Sequence, residues 1–387
     1  MRSGKRVFLV AAEESGDRLG AALIEAVRAR AGTDVEFIGV GGHAMAAQGV
    51  SSLFPIDELA IVGLGIVGKL PLILRRIRQT AAAVVAVRPD ILVIVDSPDF
   101  THRVARRVRA AAPSMPIVDY VSPTVWAWRP GRARAMRAYV DHILALLPFE
   151  PAVHAELGGP PCSFVGHPMS ERVGSLRPDE REARRRRADP PLVLMLPGSR
   201  RGEIRRMQAT FAEAMERLET RAGAIDLVVP TVPHLAGDIR GAASAWRVRP
   251  RIVIDPAEKQ VAFRTARAAL AKSGTVTLEL ALAGVPMVAA YKVSALEAFV
   301  ARHMIRVPSV ILANLVLGEN IVPEYLQGEC TPDALADAML PLLSNTPLRR
   351  RQIEAFARLD AIMQIGSARP SDRAAEIVLE IAARGRR

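Results

Sequence analysis

Residues 91–100 read ILVIVDSPDF, an apolar run rich in branched side chains that ends at Asp96 and passes into a Ser-Pro pair. A short run of this kind, without polar alternation, is typical of a strand that is buried on both faces, as in parallel α/β sheets. In open sheets of that type, ligands bind beyond the carboxyl ends of the strands. The stretch therefore predicts a parallel α/β fold with Asp96 at the binding edge of a sheet.

The same alternation of short apolar runs and helical stretches extends along the chain. Before a charged stretch at 177–191, apolar runs lie at 7–12, 35–42, 91–96, 117–122, 142–148 and 163–168. After it they resume near 191–200, 225–233, 251–256, 266–274 and 284–291. We therefore predict two Rossmann-like parallel-sheet domains, at 1–176 and 177–345, facing a cleft. A helical tail at 346–387 is expected to pack on the first domain or on a partner subunit.

The charge balance favours anionic ligands, because the chain carries 52 Lys and Arg residues against 40 Asp and Glu. A nucleic-acid-binding protein would combine a basic face with aromatic stacking residues. The four Tyr and three Trp residues are scattered, so no nucleic-acid partner is predicted. Cys162 and Cys330 lack the spacing of a zinc site or a disulfide framework. We therefore predict no metal site and a reducing cytoplasmic setting.

The stretch AEESGD at 12–17 lies at the predicted turn between the first strand and its helix. Ser15 and Gly16 would offer a close-approaching backbone at a helix N-terminus, suited to a phosphate or sugar oxygen. The alternative is a simple turn with a capping side chain. At the next candidate turn, Asp96 would be placed to act as a general base. Asp99 competes for that role, or caps the following helix.

The stretch LPGSRRGE at 196–203 joins a predicted strand to a helix in the second half. Gly198 and Ser199 form a tight turn, and Arg200 could hold a diphosphate with two hydrogen bonds. The positive end of the helix dipole would add to this attraction. The alternative is a basic surface turn.

The stretch KSGTVTLELALAG at 272–284 opens another helix through Ser273, Gly274 and Thr275. Backbone amides at such an opening bind phosphate, and Glu279 could accept hydrogen bonds from two ribose hydroxyls. An ordinary capped helix with a surface glutamate is the alternative. Together with the Gly-Ser-Arg turn, this stretch predicts a nucleoside-diphosphate pocket.

An unusually apolar segment, IVGLGIVGKLPLILRRIR, occupies residues 61–78. It is interrupted by Lys69 and Pro71 and falls short of the roughly 20 apolar residues of a membrane span. Its GxGxxG spacing lies outside the first strand-to-helix turn, which argues against a dinucleotide site. The segment is therefore interpreted as a surface that lies on a membrane, or alternatively as a buried core helix.

Taken together, nine stretches resemble the lipid-A-disaccharide synthase family. In chain order they are AEESGD, ELAIVGLGIV, IVDSPDF, YVSPTVWAWR, ALLPFE, FVGHPM, LPGSR, KSGTVTLELAL and GVPMVAAY. The variants KSGT and VPTVPH are similar to the alphaproteobacterial branch. Where many members read GETSGD, this chain carries Ala12 and Glu14.

The resemblance implies a GT-B glycosyltransferase of lipid A biosynthesis that needs no cofactor. Such enzymes join UDP-2,3-diacylglucosamine to 2,3-diacylglucosamine 1-phosphate and release UDP. The family's catalytic carboxylate falls on Asp96, and its first-loop acid and serine fall on Glu13 and Ser15. Its UDP-binding arginine falls on Arg200 and its asparagine on Asn314. Another UDP-sugar transferase, or a UDP-GlcNAc epimerase on the same fold, is the alternative.

The resemblance also implies a location, since both acylated substrates stay in the membrane. We expect a cytoplasmic enzyme, peripheral to the inner leaflet of the inner membrane, and a homodimer. The predicted membrane or acyl-chain contacts in the segment 61–78 are Leu64, Ile66, Val67, Lys69, Leu70, Leu72, Ile73, Arg75 and Arg76.

Overall fold

The computed structural model describes residues 4–32, 34–59, 66–294, 307–364 and 368–386, with the backbone alone at 66–69. The chain divides into two compact units. The first comprises residues 1–168 and 364–387, and the second comprises residues 169–363. Each unit is built around one parallel sheet of six strands, which confirms the predicted α/β class.

The first sheet has the strand order β2-β1-β3-β4-β5-β6, and every pairing in it is parallel. Its strands are β1 (Lys5–Ala11), β2 (Val35–Val40), β3 (Ile91–Val95), β4 (Ile117–Tyr120), β5 (His142–Ala145) and β6 (Cys162–Phe164). The chain order reverses between β1 and β3, so the carboxyl ends of these two strands flank the point where ligands bind in such sheets.

Helices cover both faces of the first sheet. They are α1 (Glu14–Ala31), α2 (His43–Ala47), α3 (Ile66–Val87), α4 (Pro98–Ala111), α5 (Gly131–Met136) and α6 (Glu150–Glu156). Side chains of β1 alternate between the two faces, as strand geometry requires. Val7 and Leu9 pack with apolar residues of α1, while Phe8 and Val10 pack with those of α3 and α4.

The second sheet has the order β12-β11-β10-β7-β8-β9 and is also parallel. Its strands are β7 (Leu192–Leu196), β8 (Asp226–Pro230), β9 (Arg251–Val253), β10 (Ala268–Lys272), β11 (Met287–Tyr291) and β12 (Glu324–Leu326). The sequence does not predict the short edge strand β12, because its three residues are half-buried and do not form an apolar run.

The remaining helices follow in chain order. They are α7 (Val173–Leu176), α8 (Glu180–Arg187), α9 (Arg201–Ala222), α10 (Pro233–Ala243), α11 (Pro256–Thr265), α12 (Thr275–Leu282), α13 (Leu312–Leu317), α14 (Pro332–Met339), α15 (Pro347–Met363) and α16 (Pro370–Arg384). Thr331 caps α14 by accepting a hydrogen bond from the amide of Ala334 at 3.3 Å. Pro332 occupies the first helical position, where its missing N–H costs nothing.

The C-terminal segment contributes to both units. Helix α15 belongs to the second unit, where Gln352 exchanges two hydrogen bonds with the backbone of Met287. Helix α16 belongs to the first unit and buries Ile377, Val378 and Ile381 in the core beside α1. The N-terminal part of the first unit ends at Pro168, whereas the boundary expected from the charged stretch lies at 176/177.

Candidate active site

The backbone is strained where β3 and β4 end. Asp96, Ser97 and Val121 have φ angles of 54°, 46° and 89°. Positive φ is uncommon for residues other than glycine and is most unfavourable for a β-branched residue such as valine. Strain of this kind persists where the surrounding structure enforces it, and it is concentrated at functional sites. The carboxyl edge of the first sheet is therefore a candidate catalytic region.

Asp96 is held at this edge by hydrogen bonds from two neighbours. Its Oδ2 accepts a hydrogen bond from the hydroxyl of Ser15 at 3.1 Å, and its Oδ1 accepts one from the amide of Ser97 at 2.7 Å. The hydroxyl of Thr101 donates to the carbonyl of Asp96 at 2.7 Å. A Cβ on Gly16 would approach the carbonyl oxygen of Val95 to 3.1 Å, so a larger residue there would push α1 a few tenths of an ångström away from β3. The structure thus brings together Ser15, Gly16 and Asp96.

Besides Glu13, the stretch AEESGD carries two acids, Glu14 and Asp17, and these two have different surroundings. Glu14 forms an exposed ion pair with Arg18 one helical turn later, at 2.6 Å. Asp17 is buried and accepts hydrogen bonds from the amides of Gly42, Ala44 and Met45 at 2.7 to 3.0 Å. Asp17 therefore fastens α1 to the start of α2, whereas Glu14 is directed towards solvent and its own helix.

A pocket of about 370 Å³ opens beside this carboxyl edge. Its polar lining includes Glu13, Ser97 and Asp99, and its apolar lining includes Leu59, Leu70, Ile73 and Phe100. The side chain of Asp99 is 90% exposed, whereas Asp96 is half-buried. The pocket thus combines polar groups from the strand ends with apolar side chains of α3 and α4. We call it the apolar pocket.

Helix α3 carries most of the residues predicted to contact a membrane. Leu70 is 43% exposed and Arg75 is also exposed, while Leu72, Ile73 and Arg76 are half-buried. On another face, Ile77, Ala81 and Val84 are in the core. Helix α3 is therefore amphipathic, with both an exposed and a core-facing side.

Four predicted membrane contacts of this segment fall where the structure gives no side-chain description. Leu64 lies outside the described residues, as do the side chains of Ile66, Val67 and Lys69. Arg76 forms an ion pair with Glu58 at 2.6 Å and stacks over the ring of Phe54 at 4.6 Å. Over the described residues, no helix is both long and apolar enough to cross a bilayer.

In the second unit, a pocket of about 390 Å³ lies at the carboxyl ends of β7 and β10, and we call it the diphosphate pocket. Six of the seven residues predicted to bind UDP line it: Gly198, Ser199, Arg200, Gly274, Thr275 and Glu279. The seventh, Ser273, is buried, and its hydroxyl donates to the carbonyl of Val310 at 3.2 Å. The turn before α9 and the start of α12 therefore meet as predicted.

Glu203 and Lys272 organise the diphosphate pocket, although sequence reasoning assigned neither a role. One carboxylate oxygen of Glu203 accepts hydrogen bonds from the amides of Ser199 at 3.1 Å and Arg200 at 3.3 Å. The other accepts one from Lys272 at 3.0 Å. Burial opposes ionisation of Glu203, but Lys272, the amide of Ser199 and the charge of Arg200 outweigh it and lower the pKa of the carboxyl. Glu203 is therefore an ionised brace behind the Gly-Ser-Arg turn.

The close packing of Glu203 against the Gly-Ser-Arg turn requires a glycine at position 198. Its φ is +132°, and a Cβ there would come within 2.6 Å of the Cβ of Glu203. Farther along the pocket wall, Glu279 forms an ion pair with Lys259 at 3.3 Å. That lysine is a second pocket cation that the sequence motifs did not single out.

Asn314 does not line the diphosphate pocket. It is buried in α13, and its amide donates to the carbonyl of Val322 at 2.9 Å and to the hydroxyl of Ser309 at 3.2 Å. Its carbonyl oxygen accepts hydrogen bonds from the amides of Ile321 and Val322. Because Ser273 bonds to the carbonyl of Val310, Asn314 supports the backbone that holds Ser273.

Behind the edge of the first sheet lies a buried polar chain that the motifs did not reveal. His102 lies between Asp119 at 3.0 Å and the hydroxyl of Tyr139 at 3.1 Å. Burial raises the pKa of Asp119, and the neighbouring His102 opposes that shift. Its only sequence signal was an aspartate inside the apolar run 117–122.

A second buried group involves the WAW and LPFE stretches. Glu150 accepts hydrogen bonds from the amide of Leu147 at 2.9 Å and from Trp126 at 3.2 Å. Burial raises the pKa of Glu150 to about 7. Nearby, Ser122 lies 2.8 Å from His154, and burial lowers the pKa of that histidine to about 4. Among the described residues, no three His, Cys, Asp or Glu side chains are grouped as a metal site would need.

The chain resembles known proteins over nearly its whole length. The lipid-A-disaccharide synthetase family matches residues 7–380 of the chain. The chain belongs to this family. A lipid-A-disaccharide synthase of Nitrobacter hamburgensis is 61% identical to it over 98% of this chain and 96% of its own length. One from Bradyrhizobium diazoefficiens is 59% identical over 99% and 98%. The predicted role as the glycosyltransferase that forms the lipid A disaccharide is confirmed, and the epimerase alternative is not favoured.

Solved structures with little sequence identity share the fold. An Acinetobacter baumannii MurG structure covers 97% of this chain and 99% of its own, with 16% identity and a TM-score of 0.56. A putative UDP-N-acetylglucosamine 2-epimerase of Listeria monocytogenes covers 98% and 95%, with 15% identity and a TM-score of 0.62. At this level the likeness concerns the fold alone, and it confirms the GT-B-like architecture expected of the family.

Proposed function

We propose that this member of the lipid-A-disaccharide synthetase family is an inverting enzyme. It transfers 2,3-diacylglucosamine from UDP to the 6-hydroxyl of 2,3-diacylglucosamine 1-phosphate. The new bond forms between the acceptor oxygen and the anomeric carbon of the donor, while the bond from that carbon to the UDP oxygen breaks. The hydroxyl proton passes to Asp96, and the bonding electron pair leaves with UDP.

The observation that carries the catalytic assignment is the geometry of Asp96. Its carboxylate follows a buried strand at the carboxyl edge of the sheet, and the Ser15 hydroxyl and the Ser97 amide hold it. A base fixed in this way pays little entropy to reach a bound hydroxyl. Asp99 is a weaker candidate, because its side chain is almost fully exposed and lies 3.7 Å from Arg132.

The donor's UDP belongs in the diphosphate pocket of the second unit. Arg200 and the backbone amides at the start of α12 would hold the diphosphate and stabilise the charge that develops as it leaves. Glu279 would accept hydrogen bonds from the ribose hydroxyls. The UDP-GlcNAc 2-epimerase of Neisseria meningitidis, solved with UDP-GlcNAc, shares this fold at a TM-score of 0.62. That likeness supports a sugar-nucleotide ligand in general, and the pocket residues supply the specific contacts.

Helix α3 and the apolar pocket would receive the lipid part of the substrates. The exposed Leu70 and Arg75 lie in the first half of the helix, where an apolar side chain can enter the acyl layer and a cation can meet anionic headgroups. We therefore propose a cytoplasmic enzyme that binds reversibly to the inner membrane. Family resemblance supports a homodimer, and sedimentation equilibrium of the purified chain tests that part.

The decisive experiment supplies purified protein with both acylated glucosamine substrates and detects products by mass. A tetraacyl disaccharide 1-phosphate and UDP in equal amounts are expected. UDP-GlcNAc, which carries no long acyl chains, is the matched control substrate. Epimerisation of that compound, without disaccharide formation from the acylated pair, would overturn the proposed reaction.

A further inference from the structure

A second pocket in the first unit, of about 180 Å³, lies beside the apolar pocket and is lined chiefly by cations. Four arginines contribute to it, together with His102 and Asp99: Arg103 and Arg106 from α4, Arg129 from the turn before α5, and Arg132 from the first turn of α5. We call it the arginine pocket. None of the sequence motifs predicted it, because the two arginine pairs are separated along the chain and meet only in the fold.

The arginines are presented in a defined geometry. Arg103 and Arg106 are three residues apart on α4 and so share one face of that helix. Arg106 stacks over the ring of Tyr139 at 4.8 Å and donates a hydrogen bond to its hydroxyl at 3.4 Å. Arg129 has a positive φ of 53° and stacks over Trp128 at 4.3 Å. Arg132 also lies over the ring of Trp128, at 5.9 Å. Aromatic faces therefore restrain three of the four guanidinium groups before any ligand arrives, which lowers the entropy lost on binding.

The charge of the pocket is only partly compensated by its own lining. Asp99 lies 3.7 Å from Arg132, and it is the one carboxylate among the described lining residues. The nearby Asp119 lies behind the pocket wall, where it is paired with His102. Four guanidinium groups against one exposed carboxylate leave a strong local preference for an anion. Arginine forks match phosphate oxygens in particular, since they can form two parallel hydrogen bonds.

The position of the arginine pocket indicates which kind of molecule bears the anionic group that it binds. Pro98, Asp99 and Arg103 line both this pocket and the apolar pocket, so the two are adjacent at the start of α4. Asp96 lies two residues before Pro98. A ligand that fits has a phosphate, an acyl chain and a hydroxyl within one small molecule. Both substrates of the proposed reaction carry these groups, but the donor's phosphates are assigned to the diphosphate pocket of the second unit. The phosphate left for the arginine pocket is therefore that of the acylated glucosamine 1-phosphate.

We propose that the arginine pocket binds the phosphomonoester of the acceptor and thereby selects a phosphorylated acceptor sugar. This inference rests on the proposed function for the identity of the acceptor. The same chemistry could recognise the phosphate of an anionic phospholipid headgroup, so the experiment must separate a substrate phosphate from a membrane phosphate.

The test compares the acceptor 1-phosphate with the same diacylglucosamine lacking phosphate, in neutral detergent micelles with saturating donor. The variants are Arg129→Gln and Arg132→Gln. Matched controls are Arg107→Gln on α4 and Arg134→Gln on α5, which are exposed and outside the pocket lining. Each pocket variant should lower kcat/KM for the phosphorylated acceptor about tenfold, mainly through the acceptor KM, because a charge-assisted hydrogen bond is lost. The donor KM and the rate with the unphosphorylated acceptor should stay the same, as should all values for the controls.

Two results would overturn the proposal. One is an unchanged ratio of kcat/KM between the two acceptors in both pocket variants. The other is a loss of activity that appears equally with both acceptors and only on vesicles containing anionic phospholipid, which would assign the pocket to a headgroup. Calorimetric titration of the acceptor 1-phosphate alone, without donor, measures the subsite independently of turnover. If the variants bind the acceptor 1-phosphate about tenfold more weakly, the phosphate subsite is supported even if no disaccharide forms. If the disaccharide forms and the variants bind the acceptor as tightly as the wild type, the subsite proposal is wrong and the proposed reaction stands.

Discussion

The hydroxyl of Ser15 lies 3.1 Å from a carboxylate oxygen of Asp96, although 81 positions separate the two residues in the chain. The contact joins the first turn of α1 to the end of β3. It exists because β1 and β3 are neighbours in the sheet, which brings the residues that follow them to the same edge. Since Gly16 lets the helix approach β3 closely, the hydroxyl of Ser15 can reach and orient the carboxylate.

Replacement of Asp96 by asparagine should abolish most of the turnover. The amide cannot accept the proton of the attacking hydroxyl at neutral pH, so kcat should fall by about 10² to 10⁴. Disaccharide formation measured by mass gives the rate, and circular dichroism establishes that the variant is folded. Asp99→Asn is the matched control and should retain most of the activity. The assignment is wrong if Asp96→Asn turns over normally, or if Asp99→Asn is the more damaged of the two.

Much of this arrangement could be predicted from the sequence. Buried parallel strands give apolar runs, and the turns after them carry the glycines, hydroxyls and charges that ligands need. Two turns that were far apart in sequence, at Gly198 and Gly274, indeed meet at one pocket. The rest depends on tertiary contacts that leave no local pattern. Glu203 appeared only as the start of a helix, and the histidine in the Asp119 pair has no motif around it.

Asn314 illustrates a different limit. A polar residue inside an apolar stretch indicates that its side chain is satisfied by something, but the sequence does not say by what. In the structure its amide serves the backbone of residues 321–322 and the hydroxyl of Ser309. Hydrogen-bond partners that follow the residue by seven or eight positions within a loop cannot be identified from spacing, because loops have no fixed period.

Replacement of Gly198 by alanine should damage both folding and nucleotide binding. The new Cβ would meet the side chain of Glu203 in a backbone conformation that alanine avoids, at a cost of about 1 to 3 kcal/mol. The turn must shift to relieve this contact, so the affinity for UDP should fall as well. Thermal unfolding and calorimetric titration with UDP measure the two effects.

Gly202 provides the control for that experiment, since it lies in α9 and a Cβ there would meet no atom within 4 Å. Gly202→Ala should be neutral or slightly stabilising. Equal effects of the two substitutions would contradict the role assigned to the contact between Gly198 and Glu203.

Glu150 should make the stability of the protein depend on pH. Burial raises its folded pKa to about 7 from an ordinary value of 4.5, so the folded chain keeps the carboxyl protonated over a range in which the unfolded chain ionises it. Its contribution to stability is full below pH 4.5 and is lost as the pH rises through about 7. The free energy of unfolding of the wild type, relative to Glu150→Gln, should therefore fall by up to roughly 3 kcal/mol across this range.

Urea unfolding of both proteins at several pH values between 4 and 8 measures that difference. Glutamine keeps an oxygen to accept the hydrogen bond from Leu147 but has no proton to lose. Glu156→Gln, at an exposed position on the same helix, is the control and should follow the wild type. A constant difference between wild type and Glu150→Gln over the whole range would show that burial does not perturb this carboxyl.

Replacement of Leu70 by asparagine should weaken attachment to lipid vesicles. The leucine is 43% exposed at the start of α3, and moving such a side chain from water into an acyl layer is worth up to about 1.5 to 3 kcal/mol. The membrane partition coefficient should therefore fall about tenfold, as measured by sedimentation with vesicles that contain anionic phospholipid. Leu348→Asn is the matched control, because Leu348 is 58% exposed on α15 in the other unit and carries no predicted membrane contact. If both substitutions reduce sedimentation equally, exposed apolar area in general drives the attachment and α3 has no special part in it. If Leu70→Asn alone reduces it, the helix that lines the apolar pocket also brings the enzyme to the membrane that holds its substrates.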